Sequence, residues 1–349
     1  MRKAIALVLV FMSIAIIGCN DDTTKPPENN APAKPFNPSP PNDALNQPTS
    51  LVLSWQCSDP DANDSLTYDV YFGSTNPPNA TVSVSQSDTF FAASNLDVNT
   101  TYFWKIRAKD QHKAATSSDV WNFTTQSIPI AGLIAYYPFT GNANDESGNA
   151  HNGTVYGAIL TTDRFGNTDR AYLFDGVNDY ILAPYSPDLN APHISISVWA
   201  KLSRLVGVDQ ARIVDRQATN GGIESWGVEV FGNNYSGLGN YNKFTFHSAN
   251  CTLNKNLVSP THLSASTWYH VVAINDGLTH KLYINASMDT LDSSLGNVCT
   301  SNPSPIVIGK SGPLFMHYFP GTIDDIRIYN RALNQSEIEA LYEEGGWTQ

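Results

Sequence analysis

The chain reads as an all-β protein, two successive sandwiches closed by one short helix. Three observations lead there. Apolar residues recur at every second position in most segments that carry them, the spacing of a strand with one buried face. Only 15% of residues are charged, while aromatic residues reach 11%. Gly, Asn, Ser and Thr separate the apolar segments, as the turns between many short strands require. A length of 349 residues suits two domains. The net charge of -12, from 20 Lys+Arg against 32 Asp+Glu, argues against nucleic acid or an anionic membrane face as partner, because both would repel it.

The chain opens with Arg2 and Lys3, followed by an apolar run of 14 residues, Ala4 to Ile17. Spanning a bilayer takes about 20 residues, so this run fits the core of a signal peptide over residues 1–18. It ends in Ile16-Ile17-Gly18-Cys19, which resembles the lipobox of bacterial lipoproteins. The resemblance implies cleavage before Cys19 and acylation of its thiol, which would tether the protein to a membrane through lipid alone. Several acyl chains, at about 0.8 kcal/mol per buried methylene, anchor a protein stably. Asn20-Asp21-Asp22 then resembles a signal for display on the outer face in some bacteria, and one for inner-membrane retention in enterobacteria. The expected location is the outer membrane or cell surface. Residues 19–34, rich in Pro, Asn and Thr, cannot bury a core and should form an extended spacer.

The first sandwich is expected over residues 35–126. Leu51, Leu53, Trp55 and Cys57 share one strand face, and Tyr68, Val70 and Phe72 another. Tyr102, Trp104, Ile106 and Ala108 mark a third, and Trp121 with Phe123 a closing one. Leu96-Asp-Val-Asn-Thr-Thr-Tyr102 resembles the tyrosine corner of fibronectin type III domains, with Trp55 as the core tryptophan. Cys57 reads as a core thiol. Asp59-Pro-Asp61 with Asn63 and Asp64 can be read as a calcium loop, but it lacks the ligand spacing of an EF-hand and reads rather as a solvated turn. Modules of this kind act as spacers or protein contacts, and no chemistry is assigned to it.

The second sandwich is expected over residues 131–349. Ile194, Ile196, Val198 and Leu202 alternate with Ser195, Ser197, Trp199 and Lys201, and Trp226, Val228, Val230, Phe244 and Phe246 continue the pattern. The chain closes with Gly321 to Leu341, in which Ile326 and Ile328 mark a last strand. A helix follows: Asn334 is its N-cap, Glu337 completes a capping box, and Leu333 with Ile338 forms a hydrophobic staple. Gly345 is the stop signal.

This ending, together with YLFDGVNDYI at 172–181, YPFTGNANDESGNAHNGTVYG at 137–157, SISVWAKL at 195–202, TWYHVVAINDG at 267–277, KLYIN at 281–285 and PIVIG at 305–309, resembles the laminin-G-like branch of the concanavalin A-like lectin/glucanase jelly rolls. That fold hosts lectins, adhesion modules and hydrolases, so the resemblance bears on fold more than on ligand. It also implies a structural Ca²⁺ near the first and last strands, with Asp145, Asp324 and further Asp175 as candidate ligands. The other reading of these residues is turn formation or pairing with Arg327.

Glucanases of this fold use a Glu and Asp set on one strand face, spaced E-x-D-x-x-E or E-x-D-x-E, and no such string occurs. HExxH, G-x-S-x-G and P-loop motifs are absent too, which points away from an enzyme. The four cysteines leave Cys251 and Cys299 once Cys19 is lipidated and Cys57 buried; beyond a membrane they should form a disulfide. Gly232 to Tyr241 is a Gly/Asn-rich loop bearing Tyr235 and Tyr241, flat rings suited to stacking on a sugar or peptide. Phe315 to Phe319 forms a second aromatic cluster that reads as packing under the last strand, and His270 and His280 as structural. The expected role is non-catalytic binding of a glycan. The alternative is adhesion to a surface protein, with glycoside hydrolysis third.

Overall fold

The computed structural model describes residues 28–94, 96–207, 210–216, 225–232, 242–301, 303–311 and 316–347. Cys19, Tyr235 and Tyr241 lie outside the described residues. Among the described residues no helix is long and apolar enough to cross a membrane.

The first sandwich contains β1 (Phe36–Ser39), β2 (Ala44–Gln47), β3 (Leu51–Gln56), β4 (Thr67–Gly73), β5 (Thr81–Gln86), β6 (Phe90–Ala93), β7 (Thr101–Lys109), β8 (Ala115–Ser117) and β9 (Trp121–Thr125). One sheet has the order β1-β3-β6, and the other β2-β9-β7-β4-β5 with β8 on β7. The alternating residues meet as expected: Leu53, Trp55, Val70, Trp104, Ile106 and Phe123 form one core. Burying each such side chain contributes about 1.5–3 kcal/mol. The hydroxyl of Tyr102 accepts from the Asp97 N–H at 2.9 Å, closing the corner expected at 96–102. Cys57 is only half-buried against this core, because β3 ends at Gln56, and its thiol donates to the Ala33 carbonyl at 3.2 Å.

The second sandwich contains β10 (Leu133–Tyr137), β11 (Thr154–Tyr156), β12 (Ile159–Thr161), β13 (Ala171–Asp175), β14 (Tyr180–Ala183), β15 (Ile194–Leu202), β16 (Gln210–Arg216) and β17 (Trp226–Phe231). It continues with β18 (Lys243–Ala249), β19 (Asn254–Val258), β20 (Trp268–Asn275), β21 (Thr279–Ile284), β22 (Ser287–Ser293), β23 (Ile306–Ile308) and β24 (Pro320–Tyr329). An eight-stranded sheet has the order β12-β13-β24-β15-β20-β21-β22 with β10 also on β24. A seven-stranded sheet has the order β11-β14-β23-β16-β17-β18-β19. Ile196, Val198, Val228, Phe246 and Ile328 pack between them in one core.

The outer face of the eight-stranded sheet is covered as well. Helix α1 (Gln335–Tyr342) has the capping box expected: Asn334 accepts from the Glu337 N–H at 3.0 Å, while Glu337 Oε2 accepts from the Asn334 N–H at 2.9 Å. Leu333, Ile338 and Leu341 pack with Val272, Ile274 and Tyr329 in a second apolar cluster on that side. Trp199, assigned by alternation to a polar face, is buried there between Tyr342 and His270, with ring centroids 5.6 and 5.0 Å away.

Candidate functional site

The seven-stranded sheet has one face in the core and one outside it. Along β14, Ile181 and Ala183 are core residues, so Tyr180 and Leu182 take the outer face. Tyr156 lies opposite Tyr180 across the β11–β14 pair, and their rings stack at 4.5 Å and 11°. Tyr156 is 42% exposed, so the stack offers a flat apolar surface to solvent. Lys310 Nζ sits 4.8 Å from the Tyr180 ring and 5.4 Å from that of Tyr318, a cation over two aromatic faces.

Beyond β23 the same face turns polar. Arg212 on β16 is opposite Glu229 on β17, and His247 on β18 is opposite Gly227. Arg212 Nε lies 3.0 Å from Glu229 Oε2. His247 lies between two carboxylates, 3.3 Å from Glu229 Oε1 and 3.4 Å from Asp215 Oδ1. All four of these side chains are buried. The Arg212 and Glu229 charges, removed from water in this way, persist because they face each other. Gly227 makes room for the group: a Cβ there would lie against His247 and 2.8 Å from Asp215 Oδ1. The face therefore combines a half-exposed aromatic stack, flat enough for the C–H face of a sugar ring, with a buried polar group whose members are paired with one another. Sequence reading missed Tyr156 and Tyr180; the available signal was a large aromatic residue at the outward position of an alternating strand. Tyr235 and Tyr241, outside the described residues, fall in sequence between β17 and β18.

Each of the carboxylates expected to hold Ca²⁺ has protein partners. Asp145 Oδ1 accepts from the N–H groups of Tyr136 and Ser147 at 2.8 and 2.9 Å, and its Oδ2 from the His151 N–H and the Ser147 hydroxyl, both at 2.9 Å. Asp175 shapes its turn by accepting from Val177 and Asn178. Asp324 Oδ2 accepts from Arg164 Nη1 at 2.8 Å in a cleft of about 190 Å³ at the seam of the first and last strands. There Arg164 also pairs with Asp325 at 3.0 Å, and Arg327 with Asp325 and Glu344 at 3.0 and 2.7 Å. Burial, followed by the neighbouring Asp325 charge, pushes Asp324 up to about 8. Burial also raises Asp325, but Arg327 and Arg164 together bring it below its usual value. The pairing of these carboxylates with Arg327 is thus realised at Asp325, beside the residue singled out.

Cys251 and Cys299 form a disulfide, as expected. Of the second aromatic cluster, Phe319 packs in the core while Met316 is 82% exposed. Phe315 lies outside the described residues.

A family model described as the concanavalin A-like lectin/glucanases superfamily matches residues 175–339. The C-terminal domain is concanavalin A-like. No curated protein sequence matches the chain. Among solved structures, domain 4 of AbnA, a GH43 extracellular arabinanase from Geobacillus stearothermophilus in complex with arabinotriose, is similar at 20% identity and a TM-score of 0.49, covering 61% of this chain and 98% of that one. The binding domain of Paraclostridial Mosquitocidal Protein 1 is similar at 20% identity and a TM-score of 0.48, covering 61% of this chain and 52% of that one. A structure described by the dependence of botulinum neurotoxin type C entry on two ganglioside molecules is similar at 16% identity and a TM-score of 0.46, covering 62% and 52%. The chain thus spans about half the length of these two toxin chains.

Proposed function

We propose that the concanavalin A-like domain binds a glycan, without hydrolysing it, on the outer face of its seven-stranded sheet. One observation carries this: the half-exposed Tyr156–Tyr180 stack shares that face with the Arg212, Glu229 and His247 group. Asp215 and Glu229 are buried and tied to Arg212 and His247, a state poorly suited to protonating a leaving group. In this reading Cys19 carries the lipid anchor, the spacer and a fibronectin-type first sandwich lift the lectin domain from a bacterial envelope, and many anchored copies supply avidity to weak single sites.

The test is a glycan array probed with the full chain in detergent. Binding is expected at a Kd in roughly the micromolar-to-millimolar range. Tyr156→Ala should weaken it roughly two- to tenfold, because stacking on one ring is worth on the order of 0.5–1.5 kcal/mol. Release of reducing sugar would overturn the non-catalytic part, and capture of a protein ligand with no glycan bound would favour adhesion.

A further inference from the structure

The loop read from sequence as a solvated turn has a partner that its spacing does not reveal. Asp59 follows β3 and Asp64 precedes β4, while Asp110 directly follows β7. Because Thr67 of β4 pairs with Lys109 of β7, these three residues arrive at one end of the first sandwich. Each offers a carboxylate oxygen, and the three oxygens lie within 4.8 Å of one another.

Two of these carboxylates retain coordinating capacity. Asp64 Oδ1 accepts from Gln111 Nε2 at 2.6 Å, and Asp59 Oδ1 from the Asp61 N–H at 2.9 Å. The Oδ2 atoms of both residues are buried without a hydrogen-bond donor. The Asp64 side chain is only 8% exposed, so solvent does little to satisfy its free oxygen. A buried carboxylate oxygen with no donor is costly unless a cation meets it. Among the described residues the one ion-pair neighbour of the three is His112, 3.9 Å from Asp64.

We propose that Asp59, Asp64 and Asp110 form a Ca²⁺ site in the first sandwich. The donors are all oxygen, which selects a hard cation. At Ca–O distances of 2.3–2.6 Å two ligands stand at most about 5 Å apart, with which oxygens lying within 4.8 Å of one another are compatible, and Mg²⁺, which dehydrates reluctantly, is seldom held by protein oxygens alone. The place also gives the ion a task. Asn29 Nδ2 donates to Asp110 Oδ2 at 2.9 Å, and the Asn30 N–H to Asp61 Oδ2 at 2.6 Å. The segment entering the sandwich is therefore held by the same acidic loops, and neutralising them stiffens its exit.

The test uses the full chain in detergent, freed of metal by chelator and titrated calorimetrically with CaCl2 and separately with MgCl2. One Ca²⁺ is expected with a Kd of about 10⁻⁴–10⁻³ M, as in extracellular modules, and at least about tenfold tighter than Mg²⁺. Asp64→Asn and Asp110→Asn, both isosteric, should each weaken this binding at least tenfold. A Ca²⁺ held by the other domain would survive both substitutions, so unchanged stoichiometry and affinity in the variants overturns the proposal, as does lack of uptake by the unaltered chain. Hydrogen exchange on the unaltered chain covers the case in which a variant fails to fold. Calcium should slow exchange at the Asn30, Asp61 and Ala114 amides, and unchanged protection there also overturns the site.

Discussion

Glu343 Oε2 accepts from both the hydroxyl and the N–H of Thr49, at 2.8 and 3.0 Å, across 294 residues of sequence. Gln126 Nε2 donates to the same oxygen at 3.2 Å. The terminal helix thus joins the two sandwiches as well as covering a sheet. The linker takes part: Ile128 packs on the helix cluster, and the Tyr329 hydroxyl donates to the Pro129 carbonyl at 3.1 Å. Glu343→Ala leaves Thr49, which is 1% exposed, without its acceptor and should cost about 1–3 kcal/mol. Calorimetry should then separate the melting of the two sandwiches. A single unshifted transition would argue that the joint is unimportant.

Asp324 makes stability depend on pH. Its carboxyl is raised to about 8 in the fold, so between its unfolded value and 8 the native state holds the extra proton. Stability from this group is full at low pH and is lost as pH rises through 8. Burial works in the opposite sense on His270 and His280, lowered to about 3 and about 4, and costs stability as pH falls below about 6.5. Above that value the Asp324 effect stands apart from theirs. The melting midpoint should fall by several degrees between about pH 6.5 and 9, and Asp324→Asn should flatten the decline. An equal slope in the variant would refute the assignment.

Gly227 reads out the polar group on the proposed glycan face. Gly227→Ala forces a methyl against His247 and Asp215 and should cost about 1–3 kcal/mol by overpacking. Glycan affinity should fall as well, while Glu343→Ala should leave it unchanged. Equal affinity in Gly227→Ala would detach the buried charges from binding.

The disulfide spans 48 residues, and in the chain-entropy model it stabilises by about 4 kcal/mol. Cys251→Ser with Cys299→Ser should lower the denaturant midpoint and steepen the transition, because the denatured chain without its cross-link exposes more surface. A midpoint unchanged from the oxidised parent would show that the bridge contributes nothing.

Cys19→Ala should abolish lipid attachment, on the strength of Ile16-Ile17-Gly18-Cys19. Cells labelled with palmitate provide the measurement, and label retained by the variant would exclude acylation at this cysteine.

What was legible from sequence is what repeats locally. Alternation along Ile194–Leu202 and Trp226–Phe231 revealed the strands and their core faces, because period two is a property of a strand by itself. The capping box of Asn334 and Glu337 was legible for the same reason, its bonds spanning three residues. Trp199 was not, since alternation marks the two faces of a strand but does not say that a helix from 140 residues later will bury the second one. Asp145 and Asp324 looked equivalent as candidate Ca²⁺ ligands; only the fold supplied the four local donors of the first and the Arg164 of the second. Tyr156 meets Tyr180, and Asp110 meets Asp59 and Asp64, through strand pairing set by packing of the whole domain. Sites of this kind depend on non-local register, which backbone pairing and burial choose together and no short stretch of residues encodes.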